Sequence, residues 1–234
     1  GLRSHDRRMP EEINRVIVDH LSNLLFASEP SAVENLHREG VKDKKIHLVG
    51  NIMIESLELY QKKINQSKIL NTLNLKPTSY VLVTIHSQEN TDSLYTMTKV
   101  FKILQELRKN FNLIMPLHPG TKKRLVEHGL QSELQNIKII EPVGYFDFVK
   151  LTKESIGVVT DSGGIQEETT HLGIPCCTLR DNTERPITLE LGSNKLFPIE
   201  QAVLGEIVDH LSVNNFDPRP IPLWDDRVTE RIFN

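Results

Sequence analysis

Hydrophobic residues in this chain gather in short, nearly unbroken runs separated by longer mixed segments. Seven runs read as strands: "LLFA" (24–27), "IHLVG" (46–50), "YVLVTI" (80–85), "LIMPL" (113–117), "IKII" (137–140), "IGVVT" (156–160) and "PCCTL" (175–179). Between them the pattern turns helical. Leu94 to Lys109 sets Met97, Phe101, Leu104 and Leu107 close to one face of a helix. Pro10 followed by "EEINRVIVDHL" predicts another helix, since proline suits the first helical position and carboxylates suit the first turn. Met53 to Leu75 predicts a long helical stretch. Continuous apolar strands alternating with helices predict an α/β fold, a Rossmann-like parallel sheet covered on both faces.

The same pattern divides the chain. Five strands follow Met53–Leu75 and suffice for a sheet of their own, so residues 51–215 are expected to form one lobe. Residues 1–50 hold only two strands behind a polar opening, "GLRSHD", and are expected to be the remainder of an N-terminal lobe. "NNFDPRPIPLWDD" (214–226) has three prolines and reads as a crossing connection, so 216–234 is expected to be that connection and a final helix.

Composition narrows the class. Of 234 residues, 25% are charged and 38% hydrophobic, with a net charge of −3, which suits a globular protein and lacks the basic footprint of a nucleic-acid binder. No apolar run is long enough to span a bilayer, and "GLRSHDRRMPEE" has no signal-peptide core, so no membrane partner is expected. The two cysteines, Cys176 and Cys177, are adjacent in a strand run. They read as buried thiols in a reducing, cytoplasmic setting rather than as a metal pair. No metal-ligand spacing is seen, and no cofactor is expected.

The candidate chemistry lies at strand ends, where open parallel sheets bind ligands. "IGVVT" runs into Asp161-Ser162-Gly163-Gly164 and then a helix. Two glycines admit a ligand close to the backbone, and the free N–H groups of a helix start favour phosphate. Ser162 can add a hydroxyl. Glu168 lies a turn further on and suits sugar hydroxyls better than phosphate. A tight turn with a solvated helix face explains Gly-Gly equally well. His86 and His118 end two other strands, and "RDNTERP" (180–186) puts Arg180 and Arg185 on the same rim. Phe146 and Phe148 are either core or a stacking surface for a base.

Together these residues resemble the non-hydrolysing UDP-N-acetylglucosamine 2-epimerases, which have two Rossmann-like lobes of the glycosyltransferase-B type. "TDSGGIQEE" and "LRDNTERP" match the family's signatures, "GLRS.D…MPEEINR" matches its cleft-crossing segment, and "VGN" (49–51) matches the start of the lobe connection. The resemblance implies that Ser162, Gly163 and Gly164 hold a diphosphate and Glu168 the ribose hydroxyls. It implies that Phe148 packs on uracil, that His86, His118 and Arg185 line the UDP site, and that Glu11, Arg15 and His86 serve catalysis. It implies UDP-N-acetylglucosamine and UDP as ligands, a homodimer as the full-length protein, and two further essential acids upstream of Gly1, without which this chain alone is expected to be inactive. Two positions depart from the family pattern. Ser87 replaces an arginine near a regulatory substrate site of some members, and His5 replaces a glycine, a change expected to matter little in a loop.

The implied chemistry explains the carboxylates. C2 of the sugar is not next to a carbonyl, so its proton is not acidic enough for simple exchange. Elimination of UDP across C1–C2 gives a 2-acetamidoglucal, and UDP adds back after the proton returns from the other face. General acids and bases must serve both faces while the second lobe keeps hold of UDP. Two alternatives remain at this level: a non-catalytic UDP-sugar-binding module, and a transferase of the same architecture.

Overall fold

The valine-rich runs at 81–84 and 157–160 become the centre of a sheet because every one of their residues is buried. In the computed structural model, which describes residues 1–213 and 219–234, eight strands form two parallel sheets. β1 (Leu25–Ala27) and β2 (Ile46–Leu48) make the small one. β3 (Val81–Thr84), β4 (Leu113–Pro116), β5 (Lys138–Ile140), β6 (Gly157–Thr160), β7 (Cys176–Thr178) and β8 (Asn194–Leu196) make the large one. Its order is β5-β4-β3-β6-β7-β8. The direction of strand order therefore reverses between β3 and β6, the doubly wound arrangement that opens a crevice at its switch point.

Alternation along the strands covers both faces, as expected. Val81, Val83, Met115 and Val159 face a core completed by Met97, Val100, Phe101, Leu104 and Leu107 of the helix Leu94–Leu107. Leu82, Ile114 and Val158 face the opposite core with Tyr80, Leu151 and Ile165. Cys176 and Cys177 are free, buried thiols in β7, and burial pushes Cys176 up to about 11.

Two expectations need correction. The large sheet has six strands, not five. β8 has the sequence Asn-Lys-Leu and carries little apolar signal, because it is an edge strand whose Asn194 is buried by polar contacts with Thr178, Thr188 and Gln166. The stretch Met53–Leu75 is three helices, Ile52–Leu59, Gln61–Gln66 and Ile69–Thr72. They break at Tyr60 and at Ser67, whose hydroxyl receives the Ile69 N–H and donates to Asp147.

The start of the expected crossing connection and its boundary at 215–216 lie outside the described residues, 214–218. From 219 onward the chain returns to the small sheet. Trp224 Nε1 donates to the Ser28 carbonyl at 3.1 Å, Arg231 Nε to the Val49 carbonyl at 2.7 Å, and the Thr229 N–H to Glu55 at 2.6 Å. Gly50 makes this closure possible. It has φ +91°, and a Cβ there would run into the Leu223 carbonyl. Gly50→Ala is therefore expected to lose roughly 1–3 kcal/mol of stability in urea unfolding, and an unchanged midpoint would contradict this packing.

Candidate functional site

Thr84 and Thr160 are paired in register at the ends of β3 and β6, and their buried hydroxyls bond at 2.7 Å. One residue on, Asp161 turns a fully buried carboxylate back toward the loop after β3. It accepts the N–H groups of His86 (3.1 Å) and Ser87 (2.9 Å) and the Asn90 side-chain amide (3.1 Å), and His86 Nδ1 lies 3.4 Å away. Burial pushes the Asp161 carboxyl up, while His86 and these donors pull against it. The two loops are thus tied together at the switch point. The helix Gly163–Leu172 starts there with Ser162 at its N-cap, and Ser162 makes no capping bond. Its hydroxyl is free of that duty.

Arginines surround this helix start. A Cβ on Gly163 would meet the Arg185 guanidinium and lie 2.7 Å from Glu184 Oε1, so a larger residue there would displace these two side chains. Arg185 pairs with Glu184 and with Glu167, the latter at 2.9 Å, and Glu167 also accepts Asn51 Nδ2 at 2.8 Å. Arg180 pairs with Glu184 at 3.1 Å.

The helix Pro10–Leu21 brings its start to the same cleft. Glu11 is exposed there, and Glu12 is buried. Glu12 accepts the N–H groups of Ser4 and His5, the Ser4 hydroxyl, and Arg15 at 2.8 Å. Burial opposes its charge, but the Ser4 N–H, Arg15 and the other donors outweigh it and hold the carboxyl at about 2. This staple ties the Ser4–His5 loop to the start of the helix that carries Glu11. His5 within it has φ 60°, a left-handed conformation that glycine takes without strain. Glu12, which accepts the His5 N–H, helps to hold this conformation.

The resulting cleft has a volume of about 790 Å³ and is lined by Glu11, Arg15, His86, Ser162, Gly163 and Glu184, among others. Of the residues singled out in the sequence, Glu11, Arg15, His86, Ser162 and Gly163 thus meet in one space. Arg185 backs Gly163 from behind, and Gly164 lies next to Met53. His118 is exposed, accepts the Gly120 N–H at 3.1 Å, and sits with its ring centroid 5.9 Å from that of His86. Phe148 is half-buried against the core that contains Tyr80 and Ile165. Glu168 lies a turn into the helix, 4% exposed, and burial pushes its carboxyl up to about 7 against the pull of Tyr145. Sequence reasoning missed the structural part played by Asp161, Asn90, Glu12 and Glu184. Asp161 and Glu184 stand inside the two quoted motifs, whereas nothing local marks Asn90 as a partner of Asp161.

The sequence profile described as UDP-N-acetylglucosamine 2-epimerase matches residues 1–234. The chain belongs to the UDP-N-acetylglucosamine 2-epimerase family. A relative from Methanococcus maripaludis, named UDP-N-acetylglucosamine 2-epimerase, is 46% identical over 84% of this chain and 56% of its own length. The epimerase of Methanocaldococcus jannaschii, solved in complex with UDP-GlcNAc and UDP, is 40% identical with a TM-score of 0.92 over 100% of this chain and 66% of that one. A UDP-2,3-diacetamido-2,3-dideoxy-D-glucuronate 2-epimerase from Pseudomonas aeruginosa is 38% identical over 84% of this chain and 54% of its own. The chain thus spans little more than half the length of these curated epimerases. Its parallel α/β sheets and these structural neighbours bear out the expected fold class. No helix among the described residues is long and apolar enough to cross a membrane.

Glu168 gives this epimerase-family site a measurable pH signature. Its folded pKa, about 7, lies above the ordinary carboxyl value of 4.5. The folded state therefore holds the extra proton, and stability present below about pH 4.5 is lost as pH rises through about 7. Glu168→Gln removes this dependence. The variant should match the parent near pH 4 and exceed it at pH 8 by up to about 3 kcal/mol in urea unfolding; equal differences at both pH values would contradict the assignment.

Proposed function

We propose that this chain is the UDP-holding part of a non-hydrolysing 2-epimerase, converting UDP-N-acetylglucosamine to UDP-N-acetylmannosamine by elimination and re-addition of UDP. The observation that carries this reading is the convergence of the Ser162-Gly163 helix start, an arginine cluster and Glu11 on one cleft at the sheet's switch point. The family membership agrees with it, as does the complex of the Methanocaldococcus relative with UDP-GlcNAc and UDP.

In this reading the N–H groups of Gly163 and Gly164, with the Ser162 hydroxyl and Arg185, receive the diphosphate. Glu168 accepts the two ribose hydroxyls, Phe148 packs on uracil, and His86 and His118 flank the phosphates. A base removes the C2 proton while the C1–O bond breaks toward the held diphosphate. The electron pair of the C–H bond becomes the C1–C2 double bond. A proton then reaches C2 from the other face, and the phosphate oxygen re-forms the bond to C1. Glu11 is one of the proton-handling groups, and Arg15 lies beside it on the same helix. Electrostatic stabilisation of the leaving diphosphate lowers the barrier of both halves. Residues 51–215 make the UDP lobe, with 1–50 belonging to a first lobe and 216–234 crossing back. The protein is read as a cytoplasmic homodimer acting on dissolved nucleotide sugar, with no nucleic-acid or membrane partner.

Binding is tested by calorimetry. Glu168→Ala should weaken UDP by roughly 1–3 kcal/mol through lost ribose bonds and abolish the preference for UDP over 2′-deoxy-UDP. Equal UDP affinity in variant and parent would remove Glu168 from the site. Turnover is tested in deuterated water with the full-length protein. UDP-N-acetylglucosamine should gain deuterium at C2 by NMR, and Glu11→Gln should slow this about 10²–10⁴-fold. A parallel arm offers UDP-2,3-diacetamido-2,3-dideoxyglucuronate, the sugar in the name of the Pseudomonas relative. Exchange in that arm alone would overturn the choice of sugar.

A further inference from the structure

Glu184 is a buried carboxylate, its side chain 8% exposed, on the wall of the cleft beside Gly163. One oxygen meets Arg185 and lies 4.0 Å from Arg15, and the other meets Arg180 at 3.1 Å. Those arginines are already shared. Arg15 pairs with Glu12, Arg185 with Glu167, and Arg180 lies 3.9 Å from Glu89. Three guanidinium charges thus face four carboxylates. A diphosphate entering this cradle would add negative charge to a cluster already in excess of it, unless one carboxylate gives way.

The four are not equally held. Glu12 is also bound by the Ser4 and His5 N–H groups, and Glu167 by Asn51. Glu89 is at the cluster's edge, its side chain 42% exposed. Every side-chain donor to Glu184 is an arginine. Apart from its own backbone N–H, it is held by arginines that an arriving phosphate could take over. It also lies close to the start of the helix Gly163–Leu172, with Oε1 2.7 Å from the position of a Gly163 Cβ.

We propose that Glu184 is a built-in stand-in for the diphosphate: it occupies the Arg15–Arg180–Arg185 cradle and yields those arginines when phosphate arrives. The proposal rests on the reading of this cleft as a diphosphate site. Its consequence is that Glu184 holds the arginines in place between turnovers and limits how tightly the nucleotide is kept, which favours product release.

Glu184→Gln preserves shape and removes the charge. Calorimetry at fixed ionic strength should show inorganic pyrophosphate and UDP binding roughly ten-fold tighter to the variant than to the parent, the scale of one relieved like-charge contact, with uridine unchanged. Pyrophosphate binding no tighter to a folded Glu184→Gln would overturn the proposal. If the variant does not fold, a structure of the parent with pyrophosphate decides. The Glu184 carboxylate should then have left Arg185, and finding it still paired beside bound pyrophosphate would overturn the proposal. Tighter pyrophosphate binding by Glu184→Gln with no UDP binding by either protein would leave the stand-in role intact and remove the nucleotide reading instead.

Discussion

A carboxylate with no route to water, Asp161, joins the two loops that leave the sheet at its switch point. The N–H groups of His86 and Ser87 and the amide of Asn90 all converge on it. The cost of burying that charge is offset only while all of these donors stay in place. The position of His86 and the entry angle of the helix Gly163–Leu172 therefore depend on the same contact. The paired threonines beneath it fix the register of β3 and β6. The Ser162-Gly163 turn follows directly from this anchor, with the Ser162 N–H donating to the Thr160 hydroxyl.

Around this anchor the site is assembled from charges held against one another. Glu12 ties the Ser4–His5 loop to the helix that carries Glu11 and also pairs with Arg15. Arg185 is shared between Glu167 and Glu184, and Arg180 between Glu184 and the edge. Such a network holds its guanidinium groups in place through the carboxylates they share. A turn into the helix Gly163–Leu172, burial raises the Glu168 carboxyl to about 7 against the pull of the Tyr145 hydroxyl.

The fold was legible where burial is complete. Val81–Thr84 and Gly157–Thr160 are buried on both faces, so their runs are unbroken and their strands unmistakable. β8 was not legible, because Asn194 is buried by hydrogen bonds rather than by apolar contact. The helix breaks near Tyr60 and Ser67 escaped notice because a continuous apolar pattern does not reveal where backbone bonds are exchanged for side-chain ones. In the site, glycines and strand-end residues announced themselves through their special roles. The partnerships of Asp161 with Asn90, and of Glu12 with Ser4, did not, since they depend on three-dimensional closure between residues that no periodicity links.

The account's central claim is that the Ser162-Gly163-Gly164 turn is a diphosphate site. The most direct measurement is a structure of this protein with UDP bound. The account predicts both phosphates within about 3 Å of the Gly163 and Gly164 N–H groups and the Arg185 guanidinium, with the ribose hydroxyls on Glu168. UDP found elsewhere in the cleft, with the turn left empty and Glu168 facing no hydroxyl, would contradict it.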